Sequence, residues 1–214
     1  MMKKLMVFIG ALLFSVVSYA ADSAAGAPIE DGKQYFVLQK FPSPQKEVVE
    51  IFSFNCSACY IFDTQVKGAE LIKESLPEGV VFKKYNLESF GANGAALSEG
   101  WAVANILNIQ DKFSDAMYNA IHKERSIKSA DDIINVFVKL GVSEEEYNKT
   151  KNSLPAKMFM AQQATAISEL KPASIPTLFV NGKYAINQRG LDASSNEAIM
   201  KDYVRVINYL VEQK

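Results

Sequence analysis

The sequence of 214 residues predicts an α/β fold: a small mixed sheet carrying an inserted all-helical subdomain. Three observations predict it. An almost unbroken apolar run, Val48 to Phe54, reads as a buried central strand and leads straight into Cys56-Ser57-Ala58-Cys59, a helical pattern and a further strand. From about residue 90 to residue 163 the periodicity is wholly helical. Strand character then returns at Thr177 to Val180, with Asn181-Gly182 as a two-residue hairpin turn and a final helical stripe behind it.

Taken in order, residues 1 to 20 read as a secretory signal. Lys3 and Lys4 precede an uncharged apolar run, Leu5 to Val17, which is too short to span a bilayer, and Ser18-Tyr19-Ala20 offers a cleavage site after Ala20. Removing this segment takes the formal charge from -1 to -3. So balanced a surface gives no footing for nucleic acid, and no later segment is apolar enough to cross a membrane. Residues 21 to 28 form a loose leader. Tyr35 to Leu38 reads as the first strand and Val48 to Phe54 as the second. Phe62, Val66, Ala69, Leu71 and Ile72 place one helix after the cysteines, broken by Leu76-Pro77-Glu78-Gly79. Val80 to Leu87 completes a right-handed β-α-β unit. Within the helical stretch, Ser129-x-x-Asp132 opens one helix that Gly141 closes, and Ser143-x-x-Glu146 opens another. Lys183 to Asn187 pairs with the strand before the hairpin turn. Ser194-x-x-Glu197 is placed to cap a last helix whose stripe is Ile199, Tyr203, Val206 and Leu210. The expected units are residues 21–89 with 164–214 as one domain, and 90–163 as the insertion.

The two cysteines carry the chemistry. A disulfide closing so small a loop stabilises little, so a structural bridge explains them poorly. Zinc needs about two more ligands, and the one histidine, His122, is remote in sequence and expected at the surface; covalent haem needs histidine where Tyr60 stands. No metal or cofactor is expected. Cys56 falls at a helix N-terminus, where unpaired N–H groups favour its thiolate, and Cys59 lies on the same face about 5 to 6 Å away. Cys56 is expected to be the exposed, attackable sulfur and Cys59 the buried, resolving one. Ile175-Pro176, directly before a strand, is the second element of the site. A proline that merely starts a strand is ordinary, but the order of elements around it matches a thioredoxin fold.

The chain resembles the DsbA family of periplasmic disulfide oxidases. The resemblance rests on Glu30-Asp31-Gly32-Lys33-Gln34-Tyr35, Phe52-Ser53-Phe54, Lys84-Tyr85, Trp101-Ala102-Val103-Ala104, Ala161-Gln162-Gln163 and Phe179-Val180-Asn181-Gly182-Lys183-Tyr184, and so covers essentially all of the mature chain. It implies a thioredoxin fold with a helical insertion, a cis proline at Pro176 and reoxidation by a DsbB-type inner-membrane protein. It also implies roles for Glu50 and Lys84, a buried acid-base pair that moves the proton of Cys59, and for Asp63 as the family's acid on the first helix. The alternative for each of the three is a solvated or edge position. One departure stands out: well-known members carry Pro-His between the cysteines, whereas this chain has Ser57-Ala58. Without that cation, Cys56 is expected to have a higher pKa than in those members, and the pair to be a weaker oxidant.

The expected substrates are unfolded or newly exported cysteine-containing proteins, met in the periplasm by a monomer. Phe52, Phe54 and Phe62 are expected in the core, with apolar residues around Cys56 and Pro176 forming a groove for client chains. Two other functions fit the same residues. One is a reductant or isomerase, although residues 21–34 are too few for a dimerisation domain; the other is a dedicated oxidase or chaperone for a few clients.

Overall fold

The computed structural model describes residues 28–213; the signal segment and its cleavage point lie outside the described residues. Five strands form one sheet in the order β1-β5-β4-β2-β3. They are β1 (Tyr35–Val37), β2 (Glu47–Phe52), β3 (Val81–Asn86), β4 (Thr177–Val180) and β5 (Tyr184–Ile186). Only β2 and β3 run parallel; β4 joins β2, and β5 joins β4 and β1, in antiparallel pairs. Of β2, every residue from Val48 to Phe52 is buried, as its apolar run predicts. That strand ends at Phe52, two residues short of expectation, because the chain turns there toward the cysteines.

The helix expected after the cysteines is broken into pieces. A short α1 (Ser57–Tyr60) runs into a π-helical turn, Ile61–Gln65, and Lys67 then takes left-handed geometry (φ 53°) before α2 (Gly68–Ser75). The break rotates the register, so Leu71, expected to face inward, is exposed, while Phe62 and Ile72 remain buried. Gly68 makes the break possible: a Cβ there would lie 2.4 Å from the Phe62 ring.

The helical stretch comprises α3 (Gly94–Ile106), α4 (Gln110–Tyr118), a π-helical turn at Asn119–Glu124, α5 (Ala130–Lys139), α6 (Glu144–Lys151) and α7 (Leu154–Leu170). Ser129 and Asp132 form a reciprocal capping box, and Ser143 Oγ accepts the Glu146 N–H. Helix α7 continues past residue 163 without a break. Phe159, Ala166, Ile167 and Leu170 lie against Val49, Ile51, Tyr85 and Phe179 on one face of the sheet. The opposite face is covered by the π-helical turn, α2 and α8 (Asn196–Val211), through Phe62, Ile72, Met200, Tyr203, Val206 and Leu210. The N-cap of α8 is Ser195, whose Oγ accepts from Ala198 N, rather than Ser194, whose own N–H is taken by Asp192.

Asn181 and Gly182 both adopt positive φ (51° and 64°), the mirror-image turn that suits strand twist. The Asn181 side chain does more than turn the chain. Its Oδ1 accepts the Glu47 N–H, and its Nδ2 donates to the carbonyls of Leu210 and Val211, which ties the hairpin to β2 and to the end of α8.

Candidate active site

The cysteine turn sits at the end of β2, where the sheet meets the helical insertion. Its packing belongs to the insertion: Cys56 and Cys59 share an apolar cluster with Phe52, Phe54, Trp101, Phe113, Met117 and Tyr118. Three side chains fix the approach to it. Asn86 Oδ1 accepts the Phe54 N–H, while its Nδ2 donates to Ser98 Oγ and its backbone N–H is taken by Gln163 Oε1. Ser53 Oγ accepts from Asn55 N and donates to the carbonyl of Phe90. Asn55 Nδ2 donates to the carbonyls of Phe90 and Ala92. These polar links are satisfied on both sides, as buried groups must be, and they bind β3, α3 and α7 to the turn.

Cys56 is the N-cap of α1, and its Sγ receives the Cys59 N–H at 3.2 Å. On its other side it lies 3.6 Å from the carbonyl oxygen of Ile175, and the Ile175–Pro176 peptide bond is cis. Gln188 donates its side-chain amide to the Pro176 carbonyl. The two thiols differ sharply. The hydrogen bond from the Cys59 thiol, helped by the backbone N–H groups of Cys59 and Ala58, draws Cys56 down to about 6 against the opposing effect of burial. Burial and the hydrogen bond to Cys56 push Cys59 far above the ordinary thiol range. Cys56 is much less open than its expected role suggests, 5% exposed against 0% for Cys59, because the Ile175 segment closes over it. Ser57 and Ala58 face solvent, and Ile61 and Phe90 are exposed at 46% and 42%. The phenylalanines at 52, 54 and 62 are core.

The register of β2 on β3 places Glu50 opposite Lys84 on one sheet face. Glu50 lies on the central β2 and Lys84 on the edge strand β3, yet neither side chain is in solvent. Lys84 Nζ lies 2.7 Å from both oxygens of Asp63 and 3.2 Å from Glu50 Oε2, so one ammonium serves two carboxylates. Glu50 is fully buried and neither of its oxygens has a hydrogen bond, the contact with Lys84 being an ion pair of poor alignment. Burial, reinforced by the charge of Asp63, raises Glu50 to about 8, and Lys84 offsets only part of this. Burial alone would weaken the hold of Lys84 on its proton, but the two carboxylates together keep it above its ordinary value.

Sequence reasoning missed two residues. Tyr118, read there only as part of a helical pattern, is fully buried and donates its hydroxyl to Asp63 Oδ2 at 2.8 Å. His122 is not a free surface histidine. Its Nε2 lies 2.8 Å from the carbonyl of Phe54, and its ring stacks on Tyr60 at 4.7 Å and 11°. It thus grips the cysteine turn from both ends, which a position 63 residues beyond Cys59 gave no way to foresee. His122→Ala is expected to lower stability by about 1 to 2 kcal/mol, from one hydrogen bond and one ring contact. A urea midpoint unchanged from the parent would show that the grip adds nothing.

Two sulfurs with such unequal hold on a proton, at the end of a central strand in this sheet, define a thiol:disulfide oxidoreductase with a thioredoxin fold. Comparison with known proteins agrees. A thioredoxin family model matches residues 41–200. The thiol:disulfide interchange protein DsbA of Salmonella typhimurium is 40% identical over 194 residues, covering 91% of this chain and 94% of its own, and that of Escherichia coli is 38% identical over 195. Among solved structures, DsbA of Klebsiella pneumoniae superposes with a TM-score of 0.83 at 28% identity, covering 88% of this chain and 100% of its own. A Proteus mirabilis DsbA with a cysteine replaced by serine does so at 0.83 and 33%, covering 87% and 100%, and holds a peptide, Pro-Trp-Ala-Thr-Cys-Asp-Ser, non-covalently. The chain belongs to the DsbA family of thiol:disulfide interchange proteins.

Proposed function

We propose that the protein is a periplasmic oxidase that donates the Cys56–Cys59 disulfide to newly exported cysteine-containing proteins and is recharged by a DsbB-type inner-membrane protein. The observation that carries this reading is the placement of the Cys56 sulfur as the N-cap of α1, receiving the Cys59 N–H at 3.2 Å and lying beside the cis Ile175–Pro176 bond, which lowers its pKa while burial keeps Cys59 protonated. A thiolate so stabilised makes the dithiol the favoured state and the disulfide a ready donor. Among the described residues no helix is long and apolar enough to cross a membrane.

A client thiolate attacks Cys56 Sγ in the disulfide, the S–S bond breaks, and Cys59 leaves with the electron pair. Glu50, holding its proton up to about pH 8, supplies that proton to Cys59 through the buried site. A second client thiolate then attacks the client sulfur of the mixed disulfide and displaces Cys56 as a stable thiolate. The client has lost two electrons and the cysteine pair has gained them. Asp63 and Lys84 balance charge around Glu50, and Pro176 and Ile175 hold the carbonyl beside Cys56. Exposed Ser57, Ala58, Ile61 and Phe90 give an uncharged, largely apolar rim suited to an unfolded chain. This is consistent with a peptide bound by the Proteus mirabilis relative.

Mixing the oxidised mature protein with a reduced two-cysteine peptide at pH 7 tests the direction of transfer. One disulfide appearing in the peptide per protein reduced supports an oxidase. A mixture in which the peptide stays reduced, while the dithiol form rapidly reduces insulin, points to a reductant instead.

A further inference from the structure

The buried charges on the Cys59 side of the sheet do not end at Asp63. Four groups stand in a row from the insertion to the central strand: Tyr118 Oη to Asp63 Oδ2 at 2.8 Å, Asp63 to Lys84 Nζ at 2.7 Å, and Lys84 Nζ to Glu50 Oε2 at 3.2 Å. Tyr118 is the last residue of α4, so the row ties the inserted helices to β3 and β2. The Lys84 ammonium is divided unequally, bidentate and close on Asp63, single and longer on Glu50. What Asp63 draws from Tyr118 it need not draw from Lys84.

We propose that Tyr118 is a positioning residue for disulfide exchange: by donating to Asp63 it fixes how the Lys84 ammonium is shared between Asp63 and Glu50, and so how firmly Glu50 holds the proton destined for Cys59. The inference rests on the role given to Glu50 above and adds to it a control located in the helical insertion. Glu50 is faced by Lys84 from β3, Asp63 from the π-helical turn, Cys56 and Cys59 from the cysteine turn, and Tyr203 from α8. Tyr118 approaches the same cluster from the end of α4 and interacts with Asp63, Cys59 and Glu50. Of these groups it is the one that donates a hydrogen bond to Asp63 without carrying a charge, and burial keeps its phenol protonated well beyond the ordinary tyrosine range. It therefore acts through its hydroxyl dipole and never through its own charge.

Removing that oxygen has two effects of the same sign. The positive end of the O–H dipole leaves the cluster, and Asp63, short of one donor, takes a larger share of Lys84. Both make ionised Glu50 less favourable. Asp63 keeps its bidentate contact with Lys84.

The test is Tyr118→Phe in the full mature chain, reduced, with the protonated carboxyl of Glu50 followed by difference infrared spectroscopy across pH and assigned by its loss in Glu50→Gln. The proposal expects the Glu50 midpoint to rise by about half a unit to one unit, a three- to tenfold tighter hold on the proton. In Asp63→Asn the same midpoint should fall, since Lys84 then serves Glu50 alone. A midpoint in Tyr118→Phe that stays put or falls, with near-ultraviolet circular dichroism unchanged, overturns the proposal. If Tyr118→Phe does not fold, a midpoint in Asp63→Asn that fails to fall overturns it equally. These readouts do not depend on the direction of electron flow. A shifted midpoint in a protein that transfers no disulfide would sink the oxidase reading alone, and full transfer with an unmoved midpoint would sink the role of Tyr118 alone.

Discussion

Cys56→Ser is expected to reduce disulfide transfer to the uncatalysed rate, and Cys59→Ser to accumulate a stable mixed disulfide with client protein. The two losses differ because the two sulfurs differ. Cys56 receives hydrogen bonds from the Cys59 thiol and from the backbone N–H groups of Cys59 and Ala58, and at about 6 it is mostly thiolate at pH 7. Serine at 56 has no accessible anion at that pH and cannot form the S–S bond. Cys59 is wholly buried and holds its proton far above the ordinary range, so it does not compete as a nucleophile toward clients. Non-reducing gel electrophoresis after incubation with a disulfide-bonded client, whose S–S bond the Cys56 thiolate attacks, separates the outcomes. A mixed disulfide trapped by Cys56→Ser in place of Cys59→Ser would reverse the assignment.

Glu50→Gln is expected to remove the contribution of Glu50 to the pH dependence of stability between pH 4.5 and pH 8, leaving the opposing contribution of Cys56 in place. The unfolded chain gives up this proton near 4.5, while burial in the reduced folded protein holds it to about 8. Between those values the folded state binds the extra proton, so the contribution of Glu50 to stability falls as pH rises through the window, is flat above it, and suffers no loss below it. At about 1.4 kcal/mol per unit, the difference between variant and parent should change by about 5 kcal/mol from pH 4 to pH 8.5. Any constant offset from burying an amide cancels in that comparison. The substitution leaves Lys84 paired with Asp63, so no lone charge is created. Urea titrations at the two pH values measure it. Parallel pH profiles for parent and variant would mean that Glu50 ionises in the fold as it does in water.

The fold was legible where local pattern and burial agree. The run Val48 to Phe52, the Asn181-Gly182 turn and the stripe on α8 each carry their own periodicity or backbone demand, and each is where the pattern puts it. The break at Lys67 was not legible, since it depends on the Phe62 ring packing against a glycine, a contact invisible to spacing. The same division runs through the site. Cys56 and Cys59 are close in sequence, and strand register brings Glu50 to Lys84, so a reader of the sequence can assemble those pairs. Asp63 joins them through the π-helical turn, which helical spacing does not describe. Tyr118 and His122 come from an insertion whose own pattern gives only an apolar face; their hydroxyl and imidazole matter solely because the insertion packs on the cysteine turn.

The absence of histidine between the cysteines bears on how oxidising the pair is. Lowering Cys56 from the ordinary thiol range to about 6 stabilises the dithiol at pH 7 by about 1 kcal/mol, on the order of 20 to 30 mV for a two-electron couple. That part is supplied by hydrogen bonds within the turn and needs no cation; what a histidine adds in other members is missing here. The most direct test is the reduction potential of the Cys56–Cys59 pair, measured by equilibrating the mature protein with glutathione buffers at pH 7 and counting free thiols. A value above that of thioredoxin, about -270 mV, yet below that of members with Pro-His between the cysteines, is the predicted result. A value at or below thioredoxin's would contradict an oxidase and make the pair a reductant.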